Sequence, residues 1–183
     1  AAFMTIMGND ILNEIVYEDN IFEPNKILHQ LDLKIINRLS NEKGLERQDG
    51  MDISILSIDD KNKKIQFAGA KSPLYIVKNE NINIVKGSNF PIGSQQYEKT
   101  KSYDIHEIPY NKNDKYYLLS DGYQDQFGGP KNKKFMKKNL RELILKISSL
   151  PMQEQRTKLE EEFLNWKNSE DQTDDILIIG IMV

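Results

Sequence analysis

The sequence predicts an α+β sandwich in which largely antiparallel sheets are flanked by helices. Three observations carry this expectation: apolar residues recur at helical spacing near both ends of the chain, the period changes to two between them, and the connections there are short turns. The 183 residues fit a single domain spanning 1–183, long enough to bury a substantial core.

Over residues 3 to 16, Met4, Met7, Ile11 and Ile15 form one helical stripe with Phe3, Leu12 and Val16 beside it. Pro24 opens a second helix where its missing N–H costs nothing, and Leu28, Leu31, Ile35 and Leu39 follow on one face. From Met51 the period is two, with Met51, Ile53 and Ile55 alternating with Asp52, Ser54 and Leu56 as far as a turn at 59 to 62. Strands at 65 to 70, 74 to 77 and 82 to 85 are joined by turns too short for helical crossovers, which makes the sheet antiparallel. A Gly/Pro loop over 86 to 93, a strand around 102 to 108 and a turn at 111 to 114 lead to the apolar run 116 to 119. Residues 139 to 148 and 151 to 167 read as helices, the second burying Leu159, Phe163 and Trp166 and exposing Glu160, Glu161 and Glu162. The last strand, 176 to 183, is apolar on both faces and is expected inside the sheet stack.

Composition removes several chemistries. A formal net charge of −3 argues against general nucleic-acid binding through a phosphate-neutralising surface. The absence of Cys removes disulfides, thiolate nucleophiles and Cys-ligated zinc, and suits a reducing compartment. No apolar run approaches the ~18 residues that span a bilayer, so the chain reads as soluble and cytoplasmic. His29 and His106 lack metal-ligand spacing, and neither a phosphate loop nor a Gly-x-Ser-x-Gly elbow is present.

The chemistry-bearing stretch is 115 to 129, where the apolar run ends in Ser120, Asp121 and Gly122. Ser-Asp-Gly is ordinary turn chemistry, Asp bonding its own backbone and Gly accepting positive φ. A carboxylate at a strand end is also a rigidly held ligand for a hard cation. A second acidic turn, 170 to 175, runs into the final strand, so antiparallel pairing of the two strands would bring the carboxylates together. Lys131, Lys133, Lys134, Lys137 and Lys138 follow the first turn, either as a solvated loop and helix start or as a local attraction for a phosphorylated protein.

The segments Asp-Gly-Met-Asp (49 to 52), Phe-Ala-Gly-Ala-Lys-Ser-Pro-Leu-Tyr (67 to 75), Phe-Pro-Ile-Gly (90 to 93), Leu-Ser-Asp-Gly-Tyr-Gln-Asp-Gln-Phe-Gly-Gly (119 to 129) and Gln-Thr-Asp-Asp-Ile (172 to 176) resemble the bacterial SpoIIE-type phosphatases, a branch of the metal-dependent type 2C (PPM) serine/threonine protein phosphatases. The resemblance covers nearly the whole chain in order and spacing. It implies an α-β-β-α sandwich and hydrolysis of phosphoserine or phosphothreonine by a water activated between two Mn2+ or Mg2+ ions, in bacterial signal transduction. Asp121 matches the family's Ser-Asp-Gly metal ligand, and Asp174 the ligand at the start of the final strand. Asp175 is the second choice, because adjacent strand side chains face opposite ways. Gly122 lets the turn close, and Asp125 reads as an exposed or structural carboxylate. Lys131, Lys133 and Lys134 are candidates for substrate binding.

The resemblance also implies that the family's Gly-His-Gly-x-x-Gly-Ala segment and first metal-binding Asp precede the helix that begins here at Ala1. On that expectation the first strands are missing, the domain is the C-terminal part of a longer protein, and this chain alone is a poor catalyst. The implied partners are a phosphorylated, anti-anti-sigma-like regulatory protein and an upstream sensor or receiver domain, through which the longer protein is able to be membrane-anchored. A homodimer would follow if an uncovered sheet edge paired with another copy. Two other classes stay open: a non-catalytic phosphoprotein-binding module and a metal-dependent hydrolase of small phosphate esters.

Overall fold

A computed structural model describes residues 2–40, 50–94 and 101–183. Ala1 and Asp49, used in the sequence reading, lie outside them. The chain opens with α1 (Ala2–Asn13), a π-helical turn (Glu14–Glu18) and α2 (Pro24–Ser40). Six strands follow: β1 (Ile53–Asp59), β2 (Lys64–Ala70), β3 (Leu74–Lys78), β4 (Asn81–Val85), β5 (His106–Pro109) and β6 (Lys115–Leu119). After the short helix α3 (Gly122–Asp125) come the two-residue strands β7 (Phe127–Gly128) and β8 (Lys133–Lys134), then α4 (Lys137–Ile147), α5 (Met152–Lys167) and β9 (Ile178–Met182). Every strand pair is antiparallel, with sheet orders β1-β2-β5, β4-β3-β6-β9 and β7-β8. The α+β class with antiparallel sheets and flanking helices is thus the observed one.

Two compact units make up the chain. The first comprises Ala1–Pro73 and Lys86–Tyr110. Its core joins Ile11 and Ile15 to Leu28, Leu31 and Ile35 of α2 and to Ala68 and Ala70 of β2, the stripes that hydrophobic periodicity marks. The π-helical turn arises where the Glu14 carbonyl accepts the Asp19 N–H (3.0 Å), adding one residue to the turn. Glu14 and Asp19 thereby both reach Lys34, at 2.6 and 2.7 Å. Their carboxylates, Asp19 foremost, hold the Lys34 ammonium above its ordinary pKa.

Asp32 of α2 is buried, and its Oδ1 accepts both the Gly93 N–H (2.6 Å) and the Lys101 ammonium (2.7 Å). This ties the helix to the Phe-Pro-Ile-Gly loop, whose Ile92 exchanges backbone hydrogen bonds with Met51 at 2.8 and 2.9 Å. The strand expected around 102 to 108 is shorter, beginning at His106. Ahead of it the polar groups are taken by the loop: the Tyr103 hydroxyl donates to the Pro91 carbonyl and the Asp104 N–H to Ser88 Oγ.

The second unit comprises Leu74–Val85 and Asn111–Val183. Leu140 and Ile144 of α4 and Leu159 of α5 pack on Tyr75, Val77 and Tyr117 of the four-stranded sheet. The buried Tyr117 hydroxyl donates to Gln155 Oε1 (2.7 Å), and desolvation pushes its pKa up to about 12. One expectation is corrected here: β9 lies at the edge of its sheet and not inside a stack. Ile176 and Ile178 pack against the helical side, whereas Leu177 and Ile179 stay exposed. Helices cover only one side of this strand, so an unbroken apolar run does not translate into burial on both.

The Asp32–Lys101 pair yields a stability prediction. Both side chains are almost fully buried, at 5% and 2% exposure, so Asp32→Ala strands an ammonium in the interior. A loss of about 3–5 kcal/mol is expected from urea denaturation. A loss below about 1 kcal/mol would mean that water replaces the carboxylate.

Candidate functional site

The site grows from the end of β6. This strand pairs with β9 so that Lys115 faces Met182 and Leu119 faces Ile178. Ser120 carries the pairing one step further, its N–H donating to the Leu177 carbonyl (2.9 Å). The Ser120 hydroxyl accepts the Leu177 N–H and donates to the Asp175 carbonyl, each at 2.9 Å. The second acidic turn is therefore bolted to the end of the strand that carries the first.

Asp121 follows in the right-handed helical region (φ −83°, ψ −12°), and Gly122 opens α3. A Cβ on Gly122 would lie 2.4 Å from the Asp175 carbonyl oxygen and 3.1 Å from that of Asp174. Glycine is required because the backbone of both acidic residues passes over the turn, and not because of a positive φ, which this glycine does not have. The ordinary Ser-Asp-Gly turn chemistry is not what is observed: the Asp121 side chain makes no capping hydrogen bond, and Gly122 is needed for the close approach of the acidic segment.

The structure thus brings Asp121, Gly122, Asp174 and Asp175 into one neighbourhood. All three carboxylates belong to exposed residues, and none forms an ion pair among the described residues. Asp174 Oδ1 accepts the Asp175 N–H (2.7 Å), which orients that carboxylate, and its carbonyl accepts from Gln172 Nε2 (2.8 Å). Asp125 is engaged elsewhere, by Lys134 at 3.1 Å. Lys134 and Lys133 belong to β8, opposite Phe127 and Gly128, so part of the basic run is a hairpin strand and not a loop. His29 is exposed, and His106 lies against Phe67, ring centroids 6.1 Å apart.

The sequence reading missed Gln126, which is fully buried. Its Nε2 donates to the Asp171 carbonyl (2.8 Å) and its Oε1 accepts the Thr173 N–H (3.0 Å). Its own carbonyl accepts from Trp166 Nε1 (3.1 Å) and from the Phe135 N–H (2.9 Å). One side chain therefore holds the segment that delivers Asp174. No local pattern marks it, because its partners are some forty residues away in sequence.

The donors offered are hard carboxylate oxygens, the type suited to Mg2+ or Mn2+. Among the described residues, however, no group of three or more Asp, Glu, His or Cys side chains is gathered tightly enough to hold an ion. The carboxylates fit such ions in kind and would fill only part of a coordination shell, the remainder falling to water, substrate or other protein groups. No described helix is long and apolar enough to cross a membrane.

The family model described as Stage II sporulation protein E (SpoIIE) matches residues 1–183. Among solved structures, the chain is similar to the SiaA-PP2C domain of Pseudomonas aeruginosa, with 24% identity and a TM-score of 0.88 over 100% of this chain and 70% of that one. It is similar to the PP2C phosphatase domain with a fragment of the regulatory domain of SpoIIE from Bacillus subtilis, at 22% identity and TM-score 0.67, covering 96% of this chain and 49% of that one. It is also similar to RsbX in complex with magnesium, at 15% identity and TM-score 0.58, covering 96% of this chain and 73% of that one. These likenesses carry the fold. No curated protein matches the sequence.

Gln126→Leu keeps the volume and strips the hydrogen bonds to Asp171 and Thr173. A cost of about 1–3 kcal/mol is expected, with amide exchange at Thr173 faster by about tenfold or more. Parental exchange at Thr173 would show that the acidic segment is held by other means.

Proposed function

The chain belongs to the SpoIIE family of PP2C-type phosphatase domains, and from that premise we propose that it is a metal-dependent serine/threonine protein phosphatase acting on a phosphorylated regulatory protein in bacterial signal transduction. The observation that carries the proposal is the antiparallel pairing of β6 with β9, which sets Asp121 beside Asp174 and Asp175. Asp121 and Asp174 would each offer a carboxylate to the metal centre, with Asp175 as the second choice. Two Mn2+ or Mg2+ ions, when bound, would supply a water of lowered pKa for in-line attack on phosphorus, without a covalent enzyme intermediate.

The chain's own residues do the positioning. Ser120 and Gln126 hold the acidic segment, and Gly122 admits its close approach. Lys131 and Lys133 would attract the dianionic phosphate and its acidic surroundings. The substrate is taken to be an anti-anti-sigma-like phosphoprotein, and the setting a cytoplasmic partner-switching system with a sensor or receiver domain on a longer chain. The magnesium of the RsbX complex and the regulatory domain in the SpoIIE structure support this reading by analogy.

A non-catalytic phosphoprotein-binding role is the second reading, favoured by the small number of metal donors among the described residues. Substitution separates the two. Asp121→Asn and Asp174→Asn are each expected to lower Mn2+-dependent hydrolysis of a phosphoserine protein by on the order of 100-fold, and Asp175→Asn by less. Urea midpoints should stay near the parent's, since the three residues are exposed. The assay belongs in the longest available chain that contains these residues. Parental turnover in both variants would remove these ligands from the mechanism, and phosphoprotein binding without any Mn2+-dependent turnover would select the second reading.

A further inference from the structure

We infer that the β7–β8 hairpin is the docking element for an acidic phosphoprotein, with Lys131 and Lys133 as its cationic contacts and Phe127 and Met136 as its apolar ones. The inference rests on the phosphatase reading for the identity of that partner. Its position comes first. Gln126, the residue that holds Asp171 and Thr173, immediately precedes β7, so the hairpin and the acidic segment share one mount. A protein seated on the hairpin lies beside Asp121 and Asp174.

The lysines of this region do not act alike. Lys134 is neutralised by Asp125 at 3.1 Å and lies 5.9 Å from the Phe127 ring centroid, which makes it a strut of the hairpin. Lys138 is shared with Glu142 at 3.8 Å. Lys131, Lys133 and Lys137 form no ion pair among the described residues. In a chain of formal net charge −3, these ammonium groups make a local positive field next to a negative site.

A merely solvated lysine loop would be loosely held, whereas this one is built in. The Gly129 N–H donates to the Trp166 carbonyl (2.8 Å), and a Cβ on Gly128 would lie 2.0 Å from that same oxygen. Phe135 stands edge-on to Trp166 with centroids 5.1 Å apart, and the Met136 N–H is fixed to the Gln124 carbonyl (2.8 Å). Such preorganisation lowers the entropic cost of binding. Phe127 and Met136 are nevertheless 41% and 57% exposed, Met136 at φ +76°. Phe127 pairs across the hairpin with Lys134 and Lys133 pairs with Gly128, so the apolar ring and the unpaired Lys133 ammonium lie on opposite faces, and an acidic protein that grips the hairpin meets both. Two such side chains are too few to anchor in a bilayer.

The test is fluorescence anisotropy with a labelled acidic phosphoserine peptide, beside a neutral peptide in which Ser and Gln replace the phosphoserine and carboxylates. The parent should bind the acidic peptide saturably and the neutral one at least about tenfold more weakly. Lys131→Glu with Lys133→Glu should weaken acidic-peptide binding about tenfold or more at about 0.05 M salt, the difference shrinking at about 0.5 M. Phe127→Ser should weaken it at both salt levels, and Lys112→Glu, at a distant turn, should leave it within about twofold of the parent. Circular dichroism confirms that each variant folds. No saturable binding by the parent, a double variant within twofold of it, or an equal loss in Lys112→Glu would overturn the inference. So would binding to phosphatidylserine vesicles that the peptide does not compete away. Turnover is scored separately: lysine-dependent binding without Mn2+-dependent hydrolysis sinks the phosphatase reading alone, and hydrolysis with lysine-independent binding sinks the docking surface alone.

Discussion

The antiparallel register of β6 on β9 is the constraint from which the arrangement of the site follows. With Leu119 opposite Ile178, Ser120 falls opposite Leu177, and its hydroxyl can close on both the Leu177 N–H and the Asp175 carbonyl. Asp174 and Asp175 are then carried over Gly122, where a single methyl group would collide with the Asp175 carbonyl. A slip of one residue would exchange Ile176 and Ile178, which face the helical core, for Leu177 and Ile179, so core burial itself locks the register. The acidic site is therefore a consequence of hydrophobic packing at some distance from it.

The carboxylates of the described residues include ion-paired and unpaired ones. Asp32 is matched by Lys101, Asp114 by Lys78 at 2.9 Å and Asp125 by Lys134, each serving to tie one segment to another. Asp121, Asp174 and Asp175 have no such cation among the described residues and stand at the surface, exposed to water. Paired carboxylates tie segments of the scaffold together, whereas the unpaired ones leave their oxygens to solvent. Lys134 shows why the distinction matters. By sequence it belongs to a basic cluster, whereas in the fold its charge is spent on Asp125 and its stem spans the hairpin.

Some features were legible because they are local. Helical stripes such as Leu28, Leu31, Ile35 and Leu39 announce themselves through a period set by backbone geometry. The acidic turns were legible too, since Ser-Asp-Gly and the run 170 to 175 interrupt apolar strands. Gln126 was not: its side chain satisfies backbone groups at 171 and 173, and nothing near it in sequence reveals that need. The edge position of β9 was equally hidden, because an apolar run reports what a strand tolerates and not which of its faces a helix covers.

By itself, then, the sequence determined the α+β class, the order of the longer elements, the antiparallel connections and the identity of the acidic turns, and not the short α3, β7 and β8. Each of these follows from interactions within a turn or between adjacent strands, where residue period and turn chemistry act directly. Only the tertiary structure decided that Gly122 is needed for close approach, that Gln126 and Ser120 mount the acidic segment, and that Lys134 braces the hairpin while Lys131 and Lys133 stay unpaired among the described residues. Those outcomes depend on hydrogen bonds and ion pairs between groups that meet only after β6 and β9 have paired and α5 has closed on its side of the sheet, and such long-range pairings leave no periodic trace in the chain.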